Sequence, residues 1–246
     1  LARTNETKVE VKVVGYDKAG NETTKVEEYN VDIGKVESSY DVIGGGINDT
    51  TNKKFHSTEP YKIRLKNVKS VSGVSKVKFY GTDGSVIKEV PYVEGQELEV
   101  PVGTVGYMLE NRLGVDSDKV ELFGGSRLVV DTKAPTITES VTDDKYTKDG
   151  QDWYTKEPTV TVRGLDEENL SEFKVLSPKG EVVAKQYGLE KDTGSINVDF
   201  SGLEAYKGRK ISYGGQVYGS DNANAYNFLY VARDKAGHET VKASTY

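Results

Sequence analysis

An all-β fold of facing antiparallel sheets, copied along the chain, follows from three observations. Apolar residues alternate with period two, the turns centre on glycine and aspartate, and several segments recur at nearly one spacing. In 61–66, YKIRLK, the residues Tyr61, Ile63 and Leu65 share one side while Lys62, Arg64 and Lys66 share the other. The same alternation runs through 8–13, KVEVKV, and through Phe173 and Val175 of 171–176. One apolar and one wet face is the pattern of antiparallel sheets; strands buried between helices read as nearly continuous apolar runs. No stretch keeps apolar residues at i, i+3, i+4 and i+7 over the length of a helix, and 165–170, LDEENL, is a single turn. With no helix to cover it, each apolar face needs a second sheet, so each repeat is a β-sandwich.

The repeat is read directly from the residues. Segment 13–23, VVGYDKAGNET, returns as 230–240, YVARDKAGHET, with Val9, Val11 and Val13 in phase with Tyr226, Phe228 and Tyr230. Segment 55–60, FHSTEP, matches 153–158, WYTKEP, and 75–88, SKVKFYGTDGSVIK, matches 171–184, SEFKVLSPKGEVVA. Leu98, Val100 and Val102 then match Ile196, Val198 and Phe200. Three domains are expected: 1–30, a strand pair closing a preceding repeat, since an isolated hairpin is marginally stable at best; 31–130, a complete sandwich; and 131–246, a sandwich with a Tyr/Gly-rich insertion at about 201–225. The register after Pro60 and Pro158 disagrees by one residue, which predicts a bulge or a shorter lead-in in one repeat.

The turns have a local cause. In DKAGNE, Asp17 accepts from backbone N–H groups two residues on, and Gly20 supplies positive φ; Asp234 and Gly237 repeat the arrangement. In the middle repeat, VDSDKVELFGG (115–125) keeps Asp118 and Lys119, but the AGN turn is expected to be lost and the last two strands poorly placed.

Composition narrows function. The 33 basic and 39 acidic residues give a net charge of −6, which excludes a chain that coats nucleic acid. There is no cysteine, so disulfides, thiolate nucleophiles and Cys-held metals are excluded. No apolar run reaches bilayer-spanning length, and neither a transmembrane segment nor a signal peptide is expected in these residues. No nucleophile elbow occurs, and GGG at 44–46 is followed by Ile-Asn-Asp, without the lysine of a phosphate loop. The expectation is therefore a non-catalytic protein.

Taken together, VVDTKAP (129–135), DGQDWYTKEPTVTV (149–162) and VARDKAGHET (231–240) resemble the immunoglobulin-like repeats of bacterial cell-surface proteins, in particular Gram-positive adhesins and wall-attached carbohydrate-active enzymes. The resemblance implies tandem immunoglobulin-like sandwiches, an extracellular setting at the cell surface or cell wall, and a role as stalk or adhesive region. It leaves open a carbohydrate-binding or spacer region of a multidomain glycoside hydrolase, and a surface-layer or fibre protein. Implied partners are a host or cell-surface protein or glycan and the other domains of the same polypeptide.

Two groups of site residues stand out. Asp143, Asp144, Asp149 and Asp152 gather ahead of Trp153, and Asp131 sits at a domain joint; such hard oxygen ligands suit calcium. In the insertion, Tyr206, Tyr213 and Tyr218 lie among glycines and offer rigid rings with hydroxyls for ligand contact. The alternative for the insertion is an added strand pair with Ile211, Tyr213 and Val217 packed inward. His238 stands where the first copy has Asn21, which marks it as a turn residue.

Overall fold

The computed structural model describes residues 8–32, 34–189 and 191–246. The chain divides into two compact units, one formed by Leu1–Phe55 and Pro60–Val129, the other by His56–Glu59 and Val130–Tyr246. The strands up to the division are β1 (Lys8–Tyr16), β2 (Glu22–Asn30), β3 (Glu37–Ile43), β4 (Ile47–Asp49), β5 (Lys54–Ser57), β6 (Lys62–Lys69), β7 (Val74–Tyr80), β8 (Val86–Pro91), β9 (Glu97–Glu99), β10 (Gly106–Asn111), β11 (Val120–Glu121) and β12 (Arg127–Val130). Those after it are β13 (Thr136–Val141), β14 (Lys145–Lys148), β15 (Gln151–Tyr154), β16 (Val160–Leu165), β17 (Leu170–Leu176), β18 (Val182–Tyr187), β19 (Ile196–Asn197), β20 (Ile211–Tyr213), β21 (Gln216–Tyr218), β22 (Asn227–Asp234) and β23 (Glu239–Thr245). Among the described residues the helical pieces are two single 3-10 turns, at Phe123–Gly125 and Glu204–Tyr206.

Within the first unit the sheet orders are β3–β6–β9 and β11–β10–β7–β8, with β12–β5–β4 alongside. Within the second they are β13–β16–β19 and β18–β17–β22–β23. The orders correspond strand for strand, and these paired neighbours run antiparallel. In the second unit one core draws Val160 and Val162 from β16, Leu170, Phe173 and Val175 from β17, and Phe228 and Tyr230 from β22, with Val198 and Phe200 closing it. The first unit buries the matching set: Ile63, Leu65, Val77, Phe79, Leu98, Tyr107 and Leu109. Each core is thus fed by both sheets of its unit.

The one-residue disagreement resolves into a longer lead-in. Tyr61 is buried directly after Pro60, whereas Thr159 stands between Pro158 and the buried Val160. The pairings Ile63 with Leu98 and Val162 with Ile196 fix the offset. The additional N–H of Thr159 is not orphaned, since it donates to Asp143 Oδ2 at 2.5 Å.

The turn expected to be lost from 115–125 is present just ahead of it, at 111–115. Asn111 Oδ1 accepts the N–H groups of Leu113 and Val115, both at 2.9 Å, just as Asp17 Oδ1 accepts those of Ala19 and Asn21; Asp234 Oδ1 accepts those of Gly237 and His238. Asn111 N donates to Val115 O, as Asp17 N does to Asn21 O and Asp234 N to His238 O. NRLGV (111–115) is therefore the counterpart of DKAGN and DKAGH, with Gly114 at φ 81 matching Gly20 at φ 86. Only its glycine survives in sequence, which hid it.

The hairpin β1–β2 is a two-stranded sheet in continuous register from Lys8 with Asn30 to Tyr16 with Glu22. Its valines, in phase with the buried residues of β22, are exposed: Val9 by 43%, Val11 by 42% and Val13 by 60%.

Candidate functional site

Two of the four acids near Trp153 are held by basic partners. Asp152 pairs with Lys145 at 2.5 Å and accepts from Thr147 Oγ1 at 2.6 Å. Asp143 pairs with Lys156 at 2.7 Å. That ammonium, with the Thr159 N–H, pulls the Asp143 carboxyl down to about 2. Asp144 and Asp149 are exposed, and Asp149 sits at φ 54 in the turn between the two strands. Of the four only Asp152 lies in a strand: Asp143 and Asp144 precede β14, and Asp149 is in the turn.

Asp131 is elsewhere. It is buried, and one of its carboxylate oxygens lies within 4.8 Å of one from Asp234 and of a ring nitrogen of His238. Among the described residues this is the group of three or more histidine and acidic side chains close enough to share an ion. Asp234 comes from the end of β22 and His238 from the turn that follows, with His238 Nδ1 2.8 Å from Asp234 Oδ2. Burial raises the Asp131 carboxyl; donation from Lys133 N opposes this, and the charges of Asp166 and Asp234 add to the rise. Sequence spacing missed this group because Asp131 lies more than a hundred residues from Asp234 and His238; the signal available was the single change from Asn21 to His238 between two otherwise alike turns.

The three tyrosines of the insertion are placed by packing. The turn Gly214–Gly215 joins β20 to β21 so that Ile211 faces Tyr218 and Tyr213 faces Gln216. Those four residues share one face, and Ser212 and Val217 the other. Ile211 is buried in a second cluster with Leu176, Leu229 and Val231, against which Tyr213 and Tyr218 pack. Val217 points away and is 65% exposed, a correction to its expected inward place that follows directly from the two-residue turn. Tyr213 donates to Glu239 Oε2 at 2.9 Å and carries Lys174 Nζ 5.0 Å from its ring centre. Tyr206, in the 3-10 turn, has the Lys179 ammonium and the Arg209 guanidinium over its ring.

The second unit also carries a cleft of about 750 Å3. Its lining includes Trp153, Tyr154, Asn222, Asn224 and Tyr226 together with Glu204 and Lys207. Trp153 is 46% exposed. Tyr226 donates to Glu204 Oε1 at 2.5 Å, and Lys207 Nζ lies 4.9 Å from the centre of its ring.

No protein-family model matches the chain, and no curated protein matches it. Solved structures that match the chain include a tetra-tandem repeat from the extending region of a large adhesion protein, at 15% identity and TM-score 0.41, covering 97% of this chain and 56% of that one. A Ca2+-stabilized adhesin with which an Antarctic bacterium binds ice matches at 14% identity and TM-score 0.30, covering 98% of this chain and 56% of that one. A 1.5-MDa bacterial ice-binding adhesin matches at 13% identity and TM-score 0.27, covering 97% and 73%. The chain thus spans about half the length of the first two.

Proposed function

We propose that the chain is a non-catalytic, extracellular segment of tandem immunoglobulin-like sandwiches, acting as stalk or adhesive region of a larger bacterial surface protein of the Gram-positive, wall-attached kind. The observation that carries this reading is duplication in three dimensions: two units share one strand order, and the same Asp/Asn-x-x-Gly turn closes the β22–β23, β10-to-β11 and β1–β2 connections. Duplicated modules extend a protein without adding chemistry. Residues 1–30 fit as the closing strand pair of a repeat ahead of 31–130, because β1 exposes Val11 and Val13 at the positions where β22 buries Phe228 and Tyr230. The sequence resemblance supplies the surface setting.

Calorimetry of 1–246 and 31–246 tests the domain reading. Two transitions are expected in both, at unchanged temperatures, since residues 1–30 contribute little buried surface. A single transition, or the loss of one on deleting 1–30, overturns it. Beads coated with the protein and retained on target cells under flow would assign the adhesive role; unretained beads would assign the stalk.

One observation favours a second reading, glycan binding, in the cleft around Trp153. A half-exposed indole offers a flat face to the C–H surface of a sugar ring, and Asn222 and Asn224 offer amides to its hydroxyls. Trp153 is the single tryptophan, so its fluorescence reports the cleft alone. Titration with cell-wall and plant oligosaccharides is expected to shift that emission. Silence across such a panel, or binding unchanged in Trp153→Ala, rules the reading out.

A further inference from the structure

The two units solve one local problem differently. At the start of the first, Asp32 Oδ1 accepts from Gly34 N at 3.1 Å; at the start of the second, Asp131 Oδ1 accepts from Lys133 N at 3.1 Å. These aspartates are therefore equivalent. Asp32 Oδ2 is closed off by neutral donors, namely Ser72 N at 2.9 Å, Ser72 Oγ at 2.6 Å and Asn111 Nδ2 at 3.4 Å. Asp131 Oδ2 is buried with no hydrogen-bond partner among the described residues, in a residue only 5% exposed.

The cause lies in the turn. Asn111, which donates to Asp32, is replaced in the second unit by Asp234, which has no proton to give when ionised. Asp234 is 1% exposed. Two carboxylates then face each other out of water, an arrangement that is costly unless a cation lies between them. At the same time Val115 of the first turn becomes His238, which brings an imidazole to the same point. The hairpin β1–β2 supplies the control: Asn21 Nδ2 donates to Asp17 Oδ2 at 2.7 Å, so Asn makes the turn's side-chain bond as well as His does. The turn itself does not require an imidazole.

We infer that Asp131, Asp234 and His238 form a binding site for one divalent first-row transition ion of the zinc or manganese class. One oxygen from each aspartate and one ring nitrogen from His238 would hold it, with water completing the set. The charges balance, since two carboxylates neutralise a dication. An imidazole among the ligands favours zinc over calcium, which takes six to eight oxygens, and the two carboxylates also suit manganese. The His238 side chain is 23% exposed and gives the ion a way in. The position at the first residues of the second unit ties the start of that unit to its last strand pair, since β22 and β23 flank the His238 turn.

The test uses the 1–246 protein stripped with chelator and then titrated separately with Zn2+, Mn2+, Ca2+ and Mg2+. Calorimetric titration is expected to show one equivalent of Zn2+ bound, and saturation to raise the second unit's melting temperature by about 5–10 °C. Asp234→Asn, which copies the first unit, is expected to raise the melting temperature of the stripped protein and to abolish the zinc response. His238→Asn, which copies the β1–β2 turn, should leave the stripped protein's melting in place and weaken zinc by about tenfold or more. Three results overturn the inference: no response to Zn2+ or Mn2+ by the wild-type protein, a response to Ca2+ alone, or a zinc response undiminished in both variants.

Discussion

Replacing Phe173 with alanine is expected to cost the second unit about 3–5 kcal/mol, a large part of the stability of a domain this size. Phe173 is fully buried in β17, at the centre of the core that β16, β17 and β22 share. The cavity has little means of closing. Gly164 on β16 already lies so near that a Cβ built there would sit 2.8 Å from the Phe173 ring, so backbone and ring are in direct contact. Beneath it, Val160 and Val162 are pinned by pairing with β13. Thermal unfolding of Phe173→Ala should show the second transition moved down or lost while the first stays in place. A shift of both transitions together would mean that the two units do not unfold independently.

The second large effect is expected at Asn227. Its side-chain amide is fully used: Nδ2 donates to Arg209 O at 2.8 Å and to Ser220 O at 3.1 Å, while Oδ1 accepts from Ser220 N at 2.8 Å and Thr245 Oγ1 at 2.9 Å. These bonds tie both ends of the β20–β21 hairpin to β22. Gly219, at φ 112, makes room for them, since a Cβ there would fall 2.6 Å from the Asn227 carboxamide. Asn227→Ala leaves three partly buried backbone groups, Arg209 O, Ser220 O and Ser220 N, without this partner, at a cost of about 2–3 kcal/mol. Limited proteolysis should report it as new cleavage within 205–225, with the core strands still protected. Resistance equal to that of the wild type would show that the hairpin is held by Ile211 and the tyrosines instead.

Much of the fold was legible because local and long-range signals agree. Strand phase could be read wherever one face is wet, as in β6, and the aligned segments located β7, β8 and β9 against β17, β18 and β19. The turn at Asn111 escaped because an asparagine and an aspartate make the same backbone bonds with different letters around them. Tyr213 and Val217 were both placed inward, yet a two-residue turn reverses the parity expected across it, and only one faces in. The acidic residues near Trp153 looked like a cage in one dimension; in three, lysines take Asp143 and Asp152. Asp131 and Asp234 meet only because β22 returns to the unit's start, and no spacing rule anticipates that.

The central place of β22 also sets when the second unit can form. Its residues Phe228, Leu229, Tyr230 and Val231 are buried on both faces of the sheet, yet they follow every strand from β13 to β21 in the chain. Everything from β13 to β21 therefore waits, uncovered on one flank, until the final strands are delivered. During synthesis this unit stays open after the strands of the first unit have all been made. A chain cut short before Tyr226 would lose the whole unit, not merely its end.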